Sequence, residues 1–204
     1  ECLRYGISIC VAGATSSGKT TLAGWLLTTI PDGKRIFTIE NGSRELALVR
    51  EKDGKVTNSV IHTLTRYSEN EKQNIDQDML LDMALRFNPE IICVGEMRSS
   101  EAYTAQESAR TGHTVLTTIH SNSCESTYSR MRTLCKRKYD MDDEVLMDLV
   151  TEAFPIVVFT KQLENRKRKL MEIMECEITA DGKRKFNPLY RLSLIHISEP
   201  TRLG

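Results

Sequence analysis

The sequence contains no run of eighteen consecutive apolar residues, and its start, Glu1-Cys2-Leu3-Arg4-Tyr5, lacks the basic opening and apolar stretch of a signal peptide. Neither a membrane-spanning helix nor a visible export signal is expected. An excess of either charge is also missing: Lys+Arg and Asp+Glu are 28 each, for a net charge of zero, which argues against a bulk polyanion binder and against a disordered tail. Aromatic residues are scarce at 6%, and no aromatic stripe accompanies the short basic stretches at 136–138, 166–169 and 183–185. With Asp140, Asp142, Asp143 and Glu144 offsetting them, these stretches read as solvated turns, and no nucleic-acid or anionic-lipid surface is expected. The six cysteines form no CxxC pair and no Cys/His cluster at zinc spacing, and Cys10 and Cys93 lie inside apolar runs. Buried, reduced thiols of a cytosolic protein are expected, not disulfides or a metal centre.

What remains is an ordinary globular composition, 27% charged and 40% hydrophobic over 204 residues, long enough to bury roughly 70% of the unfolded surface. The run Ile7-Ser8-Ile9-Cys10-Val11-Ala12 predicts a buried strand that leads into a glycine-containing loop and then a helix over 21–30, stopped by Pro31-Asp32-Gly33. Residues 35–39 predict a second strand ending at Glu40, and 60–65 a third. Ile75, Met79, Met83 and Phe87 recur every four residues, joined by Leu80 and Ala84, and predict an amphipathic helix over 74–87, closed by Asn88-Pro89. A strand over 91–95 ending at Glu96, a helix over 100–110 and a strand over 115–119 ending at His120 follow, then helices near 123–135 and 142–153. This order, with nearly continuous apolar strands, predicts an α/β fold with a mainly parallel sheet covered on both faces. From Pro155 onward, residues 156–159, 170–174 and 186–192 read as strands joined by charged turns, a C-terminal antiparallel appendage.

The sharpest chemical signal is Gly13-Ala14-Thr15-Ser16-Ser17-Gly18-Lys19-Thr20, which satisfies G-x-x-x-x-G-K-[ST] between a strand and a helix. Its glycines let backbone N–H groups turn inward around phosphate oxygens, and the helix N-terminus adds partial positive charge. In such a loop Lys19 reaches the β- and γ-phosphates and the Thr20 hydroxyl ligates Mg²⁺. Glu96 and Glu40 each end a strand, where ligands collect in open α/β sheets. Either carboxylate can hold Mg²⁺ through water or orient and deprotonate the attacking water, and the pair is what metal-assisted phosphoryl transfer to water needs. His120 ends the 115–119 strand and His113 precedes it, so an imidazole beside the phosphates can donate to the γ-phosphate or relay its presence to a neighbouring subunit.

These segments resemble the secretion and pilus-assembly ATPases of the type II/type IV secretion superfamily, most closely the branch that drives tight-adherence pili and conjugation-type machines. Gly13 to Thr20 resembles the Walker A block, and Thr38-Ile39-Glu40-Asn41-Gly42-Ser43-Arg44-Glu45-Leu46 the acidic box. Arg86-Phe87-Asn88-Pro89-Glu90-Ile91-Ile92-Cys93-Val94-Gly95-Glu96-Met97-Arg98 resembles the Walker B block, with Gly-Glu in place of the usual Asp-Glu. Thr111-Gly112-His113 with Ile119-His120-Ser121-Asn122-Ser123 resembles the histidine box. The resemblance, over about residues 5–190, implies a RecA-like motor core over residues 1–192 that hydrolyses ATP with Mg²⁺. It also implies a ring hexamer at the cytoplasmic face of the inner membrane, working with platform proteins of a secretion or pilus machine. By the same token it implies nucleotide contacts at Gly13, Ala14, Thr15, Ser16, Ser17, Gly18, Lys19, Thr20 and Thr21, metal ligation by Thr20 and Glu96, catalytic roles for Glu40 and Glu96, and phosphate sensing by His113 and His120. Arg98, Arg66 and Arg44 are candidate phosphate or intersubunit arginines.

Three departures stand out. Asn41 occupies a place where the family usually has Asp, removing a charge near the metal. The family carries an N-terminal domain that packs on the nucleotide, whereas here the P-loop strand begins within ten residues of the start, so a fragment is expected. Residues 193–204 do not fit the family and resemble translated sequencing-adapter read-through, which leaves His196 without an expected role. Three rival readings share the P-loop: a DNA-translocating RecA-like ATPase, a small-molecule kinase, and a nucleotide-binding core without turnover. A GTP switch would need an Asn-Lys-x-Asp motif, which the sequence lacks.

Overall fold

A computed structural model describes residues 1–193; His196 and the rest of the 194–204 tail lie outside the described residues. After a short 3-10 turn at Cys2–Tyr5, the chain forms β1 (Ile9–Gly13), α1 (Lys19–Thr28), β2 (Ile36–Glu40), a two-stranded ribbon β3 (Glu51–Lys52) and β4 (Lys55–Val56), and β5 (Val60–Leu64). There follow α2 (Gln77–Arg86), β6 (Ile91–Met97), α3 (Glu101–Arg110), β7 (Thr114–Ile119), α4 (Cys124–Cys135) and α5 (Asp143–Ala153). The chain closes with β8 (Ile156–Gln162), β9 (Arg168–Ile178) and β10 (Arg184–Arg191).

Eight strands make one sheet in the order β10-β9-β8-β1-β7-β6-β2-β5. β8, β1, β7, β6, β2 and β5 run parallel, and β9 and β10 join antiparallel at one edge. The expected α/β class, with its mainly parallel sheet and antiparallel C-terminal strands, is what the chain adopts. β1 shows why its apolar run is unbroken. Cys10 and Ala12 enter the core formed with α2 to α5, while Ile9 and Val11 enter the core beneath α1, with Ala23, Leu27 and Ile30. A strand buried on both faces favours apolar residues at successive positions. Cys10, Cys93, Cys124, Cys135 and Cys176 are buried and free, and burial pushes the Cys93 thiol up to about 12. Among the described residues no helix is long and apolar enough to cross a membrane.

The structure corrects the reading of the 74–87 segment. The helix is shorter, Gln77–Arg86, and begins where Asp76 Oδ1 accepts from the Met79 amide at 2.8 Å, a side-chain N-cap. Its buried face is Gln77, Leu80, Leu81 and Ala84, whereas Ile75, Met79, Met83 and Phe87 are 37–55% exposed. Two apolar stripes compete on this segment, and polar partners decide the rotation. Gln77 Nε2 donates to the Glu96 carbonyl at 3.1 Å, and Asp78 receives Lys138 Nζ at 2.9 Å and the Ser100 hydroxyl at 3.2 Å. Turning the other stripe inward would strand these groups.

Candidate nucleotide site

The C-terminal ends of the parallel strands carry the site. β1 ends at Gly13, whose φ is 156°, and the loop passes through left-handed Ser16 (φ 62°) and Gly18 (φ 97°) into α1. A Cβ at Gly13 would lie 2.4 Å from both the Thr160 carbonyl and the Ser17 hydroxyl, so the neighbouring strand β8 itself demands glycine there. The Ser17 and Thr160 hydroxyls are 3.0 Å apart, and Thr160 Oγ1 donates to the Ala12 carbonyl at 3.3 Å. The loop is thus fastened to β8, a brace with no signal in the sequence.

Lys19 is buried at the first turn of α1, its Nζ donating to the Ala14 carbonyl at 2.9 Å across the loop. The same ammonium lies 3.4 Å from His120 Nδ1, and His120 Nε2 lies 2.9 Å from Glu96 Oε1. Arg98 hydrogen-bonds the other oxygen of Glu96. Lys19, His120, Glu96 and Arg98 therefore form one continuous row. An ammonium only donates, so Nδ1 accepts and the network places the imidazole proton on Nε2, facing Glu96. That contact is close but poorly aligned, and Glu96 Oε1 is buried without a hydrogen-bond partner among the described residues. Burial raises the Glu96 carboxyl, but the hydrogen bond and charge of Arg98, with His120 and Lys19, outweigh it and hold the group below its ordinary value. Burial lowers the Lys19 ammonium, opposed by Glu96 and reinforced by Arg98.

Glu96 stands at the end of its strand, as expected, next to last in β6 and at an irregularity between Val94 and Met97. Such a bulge re-aims side chains. Gly95 permits it, since a Cβ there would sit 3.2 Å from the Ile39 carbonyl of β2. The backbone is pinned on both sides, by Gln77 Nε2 on the Glu96 carbonyl and by the Thr118 hydroxyl on the Gly95 carbonyl at 2.6 Å.

Glu40 ends the adjacent strand β2 and is 4% exposed. Its Oε2 accepts the Glu45 amide at 2.6 Å and the Leu46 amide at 2.9 Å, and its Oε1 lies 3.5 Å from the Thr38 hydroxyl and 3.7 Å from His62 Nδ1. Asn41 Oδ1 accepts the Thr65 hydroxyl at 2.6 Å, so the residue that departs from the acidic-box pattern ties β2 to the end of β5. His62, which the sequence does not flag, donates or accepts at 2.9 Å with Thr38 Oγ1.

Thr20, Glu40, Glu96, Arg98 and Thr118 line one cavity, and the loop from Ser16 to Thr21 lines the adjoining one. Thr20 belongs to both. Of the nine residues expected to contact nucleotide, Gly13 ends β1 and Ala14 through Thr21 lie on the loop and first turn of α1. The structure does not bring His113 to them. It precedes β7 at the end where β1 begins, and the six residues of β7, at about 3.3 Å each, set it roughly 20 Å from His120. Spacing in the sequence put both histidines beside one strand, but a parallel strand has a ligand end and a far end. Arg66 is exposed in a bridge with Ile75, and Arg44 is exposed with Nε 3.5 Å from the Leu46 carbonyl.

A hydroxyl from Thr20 and a partnerless buried oxygen of Glu96 on one cavity are an oxygen donor set that suits Mg²⁺. Among the described residues no group of three or more His, Cys, Asp or Glu could hold a metal unaided, so the ion would depend on phosphate oxygens as well.

The sequence model described as type II/IV secretion system protein matches residues 3–185. The chain belongs to this family. It is 27% identical to the VirB11 protein of Rhizobium radiobacter over 190 residues, covering 90% of this chain and 51% of that protein. An uncharacterized protein of Methanocaldococcus jannaschii is 36% identical over 131 residues, 64% of this chain and 22% of its own length. The crystal structure of the VirB11 ATPase from the Brucella suis type IV secretion system superposes with a TM-score of 0.72 at 27% identity, covering 85% of this chain and 49% of that one. The chain thus spans between about a fifth and a half of these relatives.

Proposed function

We propose that this chain is the ATP-hydrolysing motor core of a secretion, pilus-assembly or conjugation machine. The observation that carries this reading is the row Lys19–His120–Glu96–Arg98 at the mouth of the P-loop. A nucleotide bound there would have its phosphates on the loop amides and Lys19, and Mg²⁺, which Thr20 would hold directly and Glu96 through water, would supply charge neutralisation of the transferring phosphoryl group. Glu96 Oε1, close to His120 and without an aligned donor, orients the attacking water and takes its proton. His120 touches both the lysine that meets the γ-phosphate and the glutamate that meets the water, so it reports one to the other. Glu40 acts through the loop it holds, as a positioning residue. The membership of the family and the likeness to the Brucella VirB11 ATPase support this reading. Our reading extends to a ring hexamer, to an N-terminal domain that completes the site, and to a place at the cytoplasmic face of the inner membrane beside platform proteins.

Steady-state ATP hydrolysis of the chain, recorded with its mass by light scattering, tests the proposal. Lys19→Ala is expected to remove ATP binding, and Glu96→Gln to keep binding while lowering turnover by about 10²–10⁴-fold. Turnover that survives in Glu96→Gln would remove that residue from the chemistry. A wild-type monomer that binds ATP without turnover would mean that the partner domain or the ring closes the site.

A further inference from the structure

Arg168 stands in the basic stretch Arg166-Lys167-Arg168-Lys169, which as sequence reads as a solvated turn. In the fold it opens β9, which returns antiparallel along β8 and so reaches the P-loop beside β1. Its Nε donates to the Ser16 carbonyl at 2.8 Å, a contact between residues 152 apart in the chain. A Cβ on Gly18 would lie 3.2 Å from its Cδ, so the side chain lies directly against the loop. It lines the cavity bounded by Ser17, Lys19, Thr20 and Thr21, where Glu45 supplies the acid.

Two cations, Lys19 and Arg168, thus share one cavity, and Arg168 forms no salt bridge with a carboxylate among the described residues. No acceptor takes its Nη groups among those residues either. An arginine whose Nε is already anchored presents its remaining donors as a planar fork, which matches phosphate oxygens. We propose that Arg168 is a further nucleotide-binding residue, its Nη groups hydrogen-bonding the phosphates of the nucleoside triphosphate held by the P-loop while Nε keeps Ser16 in place. The β8–β9 hairpin is then part of the nucleotide site and not an appendage to it. This inference rests on the nucleotide-binding reading above.

The test measures the Kd of a fluorescent ATP analogue with Mg²⁺, at two salt concentrations, for the full chain and for Arg168→Lys, Arg168→Gln and Arg168→Ala. Glutamine keeps a donor for the Ser16 carbonyl but loses the charge, which separates phosphate contact from a brace. Arg168→Gln and Arg168→Ala are each expected to weaken binding about tenfold and to flatten its salt dependence, with Arg168→Lys in between. Unfolding midpoints measured without nucleotide serve as the control for folding. Arg168→Gln binding as tightly as the wild type would overturn the proposal and leave Arg168 a brace alone, as would Arg168→Ala binding unchanged. A wild-type chain that binds no ATP would overturn the nucleotide-binding reading itself, a result distinct from either of these.

Discussion

At the C-terminal ends of β2 and β6, adjacent strands of the sheet, two glutamates occupy corresponding places and are used in opposite ways. Glu40 is almost wholly buried and spends one oxygen on two loop amides, so its carboxylate is an internal anchor for residues 41–46. Glu96 keeps one oxygen on Arg98 and turns the other toward His120 and the cavity without an aligned donor. The difference teaches that a strand-end acid keeps a free oxygen only where the backbone leaves it unsatisfied. At β2 the following loop folds back over the acid; at β6 a bulge after Gly95 turns it outward.

The comparison breaks most sharply under isosteric substitution. Glu96→Gln should lose turnover by orders of magnitude with a smaller change in unfolding midpoint, whereas Glu40→Gln should cost about 1–3 kcal/mol of stability, read from urea melts, through weakened bonds to the Glu45 and Leu46 amides. Equal stability losses in the two variants would erase the distinction.

Acidification sharpens the same contrast through His62, the neighbour of Glu40. Burial lowers its imidazole, Arg44 lowers it further, and the Glu40 charge and hydrogen bond only partly compensate. With a folded value below the ordinary one, near 6.5, the unfolded chain binds the extra proton first as pH falls. Stability is therefore full above about pH 6.5 and declines as pH drops toward the folded value. Denaturation midpoints at about pH 7.5 and 5.5 should differ less in His62→Gln than in the wild type. An unchanged difference would mean that other groups dominate this window.

The smallest effect is expected at His113. Placed at the far end of β7, it should tolerate replacement by Gln with turnover of the isolated chain within about twofold, while His120→Gln lowers turnover by at least tenfold. Equal losses at both would call for a long-range link through β7.

Much of the fold was legible because its signals are local. The glycine loop between an apolar strand and a helix, and the buried runs ending in Glu40, Glu96 and His120, are contiguous patterns whose periods follow from strand and helix geometry. The rotation of α2 was not legible, since two stripes fitted the helical period and Gln77 and Asp78 chose between them by meeting groups on β6, α3 and the segment after α4. The far placement of His113 needed strand direction, which spacing does not carry.

By itself the sequence determined that this chain builds a parallel α/β sheet with a phosphate loop on β1 and carboxylates on two further strands, because those features depend on residue type and near neighbours. Only the tertiary structure decided which carboxylate keeps an oxygen without a hydrogen-bond partner, which histidine joins Lys19, and that Thr160 and Arg168 hold the loop. Those contacts join residues more than a hundred positions apart. Sheet order and register bring them together, and no local pattern encodes either.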